Sequence, residues 1–281
     1  MDGVALDVAA TRDAAELHAA FVGAFSDYVA GPLQLTLEQW PSLQGRQGID
    51  GALSRVVVQE GAVVAFAFTC PRPETDRWRL GAMGALPAAR GSGAAQALLD
   101  DFLARATAAG MAWAELECFA ANERALRLYR SRGFEVVCPL DGWKATGAPA
   151  SAPVPAWDVR AVDRATAFAW LAEAERRIAD LPFPGTHRSL SAQPRPLTFW
   201  QCGSAQLAFS VVEGTPTPIH SLVDLDPALR DAEVLAQALL AAHPDAFAQP
   251  VLRDDIGGAA LERAGFERQA MGQVLMKRAL R

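Results

Sequence analysis

From Asp13 to Phe25 the chain reads DAAELHAAFVGAF, with apolar residues three and four apart, which predicts an amphipathic helix. LTLEQWPSL, shortly after, predicts a second helix interrupted near its proline. Ser54 to Cys70, SRVVVQEGAVVAFAFTC, carries two strand patterns joined by a turn at Glu60–Gly61. RWRLGAMGALP reads as a further strand built from unusually small residues. After it, Ala95, Leu98, Leu99, Phe102, Leu103 and Ala106 follow the spacing of one buried helical face. Met111 to Phe119 is a strand, NERALRLYRSR a helix and FEVVCPL a strand. An antiparallel start followed by strand–helix–strand–helix–strand implies an α/β fold with a mixed sheet.

Periodicity is lost at KATGAPASAPVPAW, where proline, alanine and glycine favour extended, unpacked chain. This marks a linker at 146–156 between a first domain, 1–145, and a second, 157–281. A length of 281 residues, 51% hydrophobic and 21% charged, suits two cored domains. No apolar run reaches the roughly 18 residues of a membrane span. The early acids of MDGVALDVAATRDAAELHAAF argue against a signal peptide, so a cytoplasmic address and no membrane partner are expected. A net charge of −6 argues against nucleic acid as a partner. Cys70, Cys118, Cys138 and Cys202 are widely spaced and read as free thiols, and the four histidines lack ligand spacing, so no metal is expected.

The candidate chemistry starts at PAARGSGAAQALL, Pro87 to Leu99. Glycines at a helix start leave backbone N–H groups uncovered, and the helix dipole adds about half a positive charge there. With Arg90 alongside, the stretch is a phosphate cradle, although the same glycines also suit a plain strand-to-helix turn. It matches neither GxGxxG nor GxxxxGK[ST]. The second stretch, NERALRLYRSRGF, opens on a capping residue, Asn122, and closes on Gly133 in the left-handed position. Ala125, Leu128 and Tyr129 are expected on its inner face.

These stretches resemble the GNAT acetyltransferase superfamily over roughly Val4 to Trp143. Arg90-x-x-Gly93-x-Ala95 is similar to its motif A, R/Q-x-x-G-x-G/A, with alanine in the last place. Asn122-x-x-Ala125-x-x-x-Tyr129-x-x-x-Gly133-Phe134 is similar to its motif B, with one strand between the two. The resemblance implies that the N–H groups of Arg90, Gly91, Ser92, Gly93, Ala94 and Ala95 hold the pyrophosphate of acetyl-CoA. It further implies that the AMGALP strand, through Met83, Ala85 and Leu86, pairs with the pantetheine arm and splays from the next strand. Asn122 would contact that arm, and Tyr129 would sit near the thioester sulfur.

Acetyl transfer to an amine needs a neutral nucleophile, an oxyanion stabiliser and a proton for the leaving thiolate. A backbone N–H near Met83 to Ala85 is the expected stabiliser. Tyr129 is the expected general acid. Glu115 and Glu117 alternate on one side of their strand and are candidate bases, directly or through water, or else solvated carboxylates. Asp27 and Tyr28, before VAGPL, are candidates for the acceptor cleft by position.

The second half repeats the plan. With Gly265 set on Gly133, Leu261 falls on Tyr129, Gly257 on Ala125 and Asp254 on Asn122. Pro227 and Arg230 fall on Pro87 and Arg90, while Asp231 and Glu233 replace the two loop glycines. Carboxylates repel a pyrophosphate, so this half reads as a degenerate GNAT-like domain without a CoA site. The leading reading is therefore a tandem-domain N-acetyltransferase with acetyl-CoA as cosubstrate and a small-molecule or peptide amine as acceptor, acting as monomer or homodimer. A CoA-binding regulatory or scaffold protein is the alternative. O-acetylation and longer acyl chains stay open.

Overall fold

The computed structural model describes residues 4–146 and 159–281, so the expected linker lies outside the described residues except for Thr146. The chain divides into two compact units, residues 1–137 with 275–281, and residues 138–274. The division runs inside the strand Glu135–Ala145, whereas the sequence reading kept each domain contiguous.

The first unit runs β1 (Asp7–Val8), α1 (Ala14–Ala24), α2 (Trp40–Gln47), β2 (Asp50–Gln59), β3 (Ala62–Arg72), β4 (Arg77–Ala85), α3 (Ala94–Ala108), β5 (Trp113–Phe119) and α4 (Glu123–Ser131). The strands lie in the order β1 to β5, antiparallel except for the parallel β4–β5 pair that α3 connects. The C-terminal strand Gln273–Ala279 lies beside β5, and just past its end the Leu280 N–H donates to the Ala112 carbonyl at 2.9 Å.

Local sequence explains these elements. Glu60 and Gly61 both take positive φ, 50° and 82°, as a two-residue hairpin requires, so β2 turns directly into β3. In α1 the buried residues Leu17, Ala20, Phe21 and Ala24 keep the helical spacing and pack Phe21 against Trp40, Phe66 and Phe68. Each such buried aromatic side chain contributes about 2–3 kcal/mol relative to an exposed one. α3 buries Ala94, Leu98, Leu99, Phe102, Leu103 and Ala106, so Ala94 takes the inward place expected for Ala95.

β6 (Glu135–Ala145) follows, and its residues 141–145 pair with strands of the second unit. That unit continues with β7 (Arg160–Val162), α5 (Arg164–Arg177), α6 (His187–Ser191), β8 (Thr198–Cys202), β9 (Ala205–Phe209), β10 (Pro218–Asp224), α7 (Arg230–Ala242), β11 (Phe247–Leu252), α8 (Gly258–Arg263) and β12 (Phe266–Arg268). Its sheet runs β7-β8-β9-β10-β11-β6, with β10 and β11 parallel around α7. Leu207, Phe209, Ile219 and Leu222 of the strands and Leu235, Leu239 and Leu240 of α7 form its core. The plan of a parallel pair around a helix at the end of an antiparallel meander thus occurs in each unit, giving a mixed α/β architecture. None of the described helices is long and apolar enough to cross a membrane.

Candidate functional site

Two features of β4 open a gap in the first unit. Its pairing with β3 jumps from Phe68↔Ala82 to Thr69↔Leu80, leaving Gly81 as a bulged residue. Its pairing with β5 stops at Arg79↔Glu115, although both strands run on. Beyond that point β4 has a free edge. The Leu86 N–H donates to the Val64 carbonyl of β3 at 2.8 Å, and successive strand N–H groups point to opposite edges. Ala85 and Met83 therefore direct their N–H groups to the free edge. Leu86 does not, which corrects its expected place in the cofactor set.

A cavity of about 420 Å³ begins at this edge, lined by Met83, Gly84 and Ala85. The start of α3 forms one wall. Gly91 and Gly93 take φ of 86° and 89°, and a Cβ on either would meet nothing within 4 Å. Among the described residues no acceptor is found for the N–H groups of Gly91, Gly93 and Ala95, and Ala94 reaches only the Ser92 hydroxyl at 3.3 Å. Arg90 and Ser92 differ from expectation here. Their N–H groups close local turns onto Pro87 and Ala89, and Ser92 is absent from the lining. Gln96, one position beyond the expected stretch, lines the cavity as the third residue of the helix, where N–H groups also lack intrahelical partners.

The opposite wall is α4. The Asn122 side chain caps it, accepting from the Ala125 N–H at 3.2 Å, and Gly133 closes it at φ 78°. Leu126 and Tyr129 are its buried residues, while Ala125 and Leu128 line the cavity instead of the core. The chain has two tyrosines, Tyr28 and Tyr129, and both line this cavity. Tyr129 is 7% exposed. Burial, with the neighbouring Cys118 and Tyr28, pushes its phenol far above the ordinary range. Tyr28 is pushed up to about 12 by burial and Cys118, against a hydrogen bond from Asn122 that pulls it down. Burial likewise pushes the Cys118 thiol up to about 12. All three therefore stay protonated at neutral pH.

Asp27 lines the cavity mouth and grips Arg90 through two hydrogen bonds, Nη1–Oδ2 at 2.5 Å and Nη2–Oδ1 at 2.6 Å. That pairing holds the Asp27 carboxyl below its usual range. Arg124 and Arg132, which the sequence reading missed, also line the site, and Arg132 forks onto Asp100 at 2.9 and 3.0 Å. The motif spacing signalled Asn122 and Tyr129, but nothing in it distinguished these arginines from the others on the polar face of α4.

Glu115 and Glu117 are not brought into the cavity, which corrects their expected role as bases. Glu115 is 1% exposed and held by Arg72 at 2.5 Å and Arg77 at 2.9 Å. Glu117 is held by Arg79 at 2.6 Å. Both carboxylates are engaged by guanidinium groups, and neither lines the cavity.

In the second unit, the start of α7 is filled from within. Asp224 accepts the Ala232 N–H at 2.9 Å, the Ser204 hydroxyl at 2.6 Å and the Asp226 N–H at 2.9 Å. Asp231 turns to Ser204, and Glu233 pairs with Arg263 at 2.7 Å. A carboxylate thus caps this helix where the first unit leaves its N–H groups open. Gly265 repeats the positive φ of Gly133, at 103°, and Leu261 is fully buried.

The family model described as the acetyltransferase (GNAT) family matches residues 16–134. Solved structures share the fold over nearly the whole chain. A GCN5-related N-acetyltransferase from Sphaerobacter thermophilus is 17% identical, with 99% of this chain and 96% of that one covered at a TM-score of 0.66. One from Anabaena variabilis is 15% identical, covering 99% and 73% at 0.61. One from Kribbella flavida is 16% identical, covering 98% and 70% at 0.59. No curated protein matches the sequence.

Proposed function

From the premise that residues 16–134 form a GNAT acetyltransferase domain, we propose that the chain is an N-acetyltransferase that moves an acetyl group from acetyl-CoA to a primary amine in the first-unit cavity. The observation that carries this reading is the joining, in one cavity, of open helix-start N–H groups, a free strand edge and a protonated phenol. The residues present fit the coenzyme. Gly91, Gly93, Ala94, Ala95 and Gln96 would hold the pyrophosphate, with Arg90 and Arg124 supplying positive charge. Met83, Ala85 and Asn122 would hold the pantetheine arm. Bound there, acetyl-CoA supplies the activated acyl group.

The chain's own residues then divide the work. The Met83 and Ala85 N–H groups on the free edge offer donors where negative charge develops. Tyr129 keeps its proton through neutral pH and would hydrogen-bond the thioester sulfur, passing that proton to it as the new N–C bond forms and the C–S bond breaks, while the proton lost by the amine returns to the phenol oxygen. Phe25, Tyr28 and Val29 supply an apolar and aromatic rim on the acceptor side. The second unit is read as a degenerate copy whose Asp224 takes the place of a bound anion.

The test is release of free thiol from acetyl-CoA across a panel of amines, with mass-spectrometric detection of the acetylated product. Thiol release that depends on one class of amine supports transfer. Tight CoA binding without release under any acceptor would leave a scaffold role.

A further inference from the structure

Glu115 and Glu117, withdrawn from the cavity, belong to a row of buried charge at the point where β4 leaves β5. Arg79 is 3% exposed and reaches across from β4 to Glu117 of β5 through Nη2 at 2.6 Å and Nε at 2.8 Å. The same guanidinium donates to the Gln47 side-chain oxygen at 2.9 Å and to the Gln47 carbonyl at 3.3 Å, at the end of α2. It lies under the bulge, where a Cβ on Gly81 would come within 3.2 Å of Nη1. Alongside it, Glu115 receives Arg77 from β4 and Arg72 from β3. Burial works against the Arg79 cation, but the Glu117 carboxylate outweighs it and holds the group above the ordinary arginine range.

Main-chain pairing between the strands ends at Arg79↔Glu115, and the Arg79–Glu117 pair sits one step further along. Side-chain bonds therefore take over where the ladder stops. We propose that Arg79 and Glu117, supported by Arg72, Arg77 and Glu115, are positioning residues. They clamp β4 to β5 at the fork, stop the split from running back down the strands, and so fix the free edge that carries the Met83 and Ala85 N–H groups. Arg79 also ties this fork to Gln47 at the end of α2, which adds a third element to the clamp. The role assigned to that edge rests on the proposed function, but the clamp itself does not.

The test uses the full chain with Arg79→Met/Glu117→Leu, which replaces the pair by apolar side chains of similar bulk, a change that buried ion pairs often tolerate. Hydrogen exchange of residues 77–80 and 113–117 should quicken by about tenfold or more while α3 and α4 keep their protection. CoA affinity, read by calorimetry, should stay within about threefold, because the helix-start N–H groups are untouched. The turnover number should fall at least about tenfold with KM for acetyl-CoA unchanged, as expected when the stabilisation removed acts only in the transition state. Wild-type exchange at the fork in the folded variant overturns the clamp, as does exchange that rises evenly across the whole unit. Should the double variant not fold, Glu117→Gln retains bulk and one acceptor, and must still quicken exchange at the fork; no change there overturns the proposal. A wild-type chain that transfers no acetyl group would refute the proposed function, while the exchange comparison would still decide the clamp.

Discussion

Gly93→Glu puts a carboxylate at the start of α3, where the proposal places the CoA pyrophosphate. At Gly93 φ is 89°, so any L side chain is strained there, at about 1–2 kcal/mol. A Cβ meets nothing within 4 Å, so no clash adds to that cost. A negative charge in the first helical turn returns about 0.3–1 kcal/mol. The variant should therefore fold, with a net loss near 1 kcal/mol. Binding should suffer far more. Two unit charges about 4 Å apart repel by about 1 kcal/mol in water and about 4 kcal/mol near a protein surface. Because each 1.4 kcal/mol is about tenfold in affinity, the near-surface value corresponds to CoA binding several hundredfold more weakly, and the fully hydrated value to about fivefold. Gly93→Ala carries the same strain without the charge and should lose less than about tenfold, consistent with a cost confined to the backbone. Calorimetric titration with CoA, paired with a melting curve for each variant, separates the two effects. A folded Gly93→Glu chain that binds CoA as the wild type does would refute the pyrophosphate site.

Tyr129→Phe should keep the ring packed against Phe134 and leave CoA affinity nearly unchanged, while turnover falls by about 10²–10⁴-fold, measured as thiol release. Because burial holds the phenol far above its usual range, the wild-type rate should show no falling limb from Tyr129 up to about pH 10; a loss of activity that titrates near pH 8 and vanishes in the phenylalanine variant would contradict this. Asp27→Asn frees Arg90 from its bidentate partner, so CoA should bind more tightly, by up to about tenfold for one released charge pair. Weaker binding in that variant would mean that Asp27 holds the loop in its binding shape. In the wild type Asp27 is depressed by Arg90, so the pair persists above the ordinary carboxylate range and is lost only as pH falls below it.

Local chemistry was the legible part of this protein. Helical spacing marked α1 and α3, the paired positive-φ residues after Gln59 marked the hairpin, and Asn122 with Gly133 bounded α4 from both ends. The open helix start at Gly91 and Gly93 was legible for the same reason, since glycine with open backbone is a one-dimensional signal. Partnership between distant residues was not. Glu115 and Glu117 alternate as exposed carboxylates would, and only the fold reveals Arg72, Arg77 and Arg79 closing over them. Asp27 looked like an acceptor-side acid until its partner, 63 residues away, turned out to be the loop arginine. In the second half the residues set on the loop glycines, Asp231 and Glu233, turn to Ser204 and Arg263, and the carboxylate at the helix start comes from Asp224 of β10. Nor does a linear reading detect that residues 275–281 group with the first unit, because strand partners are chosen by the sheet and not by neighbourhood in the chain.

The central claim is a single acetyl-CoA site in the first unit, and counting sites tests it most directly. Calorimetric titration of acetyl-CoA into the full chain should return one site per chain, removed by Gly93→Glu and unaffected by Asp231→Ala, which alters only the second unit. Two equivalent sites, or one site that survives Gly93→Glu, would contradict the account.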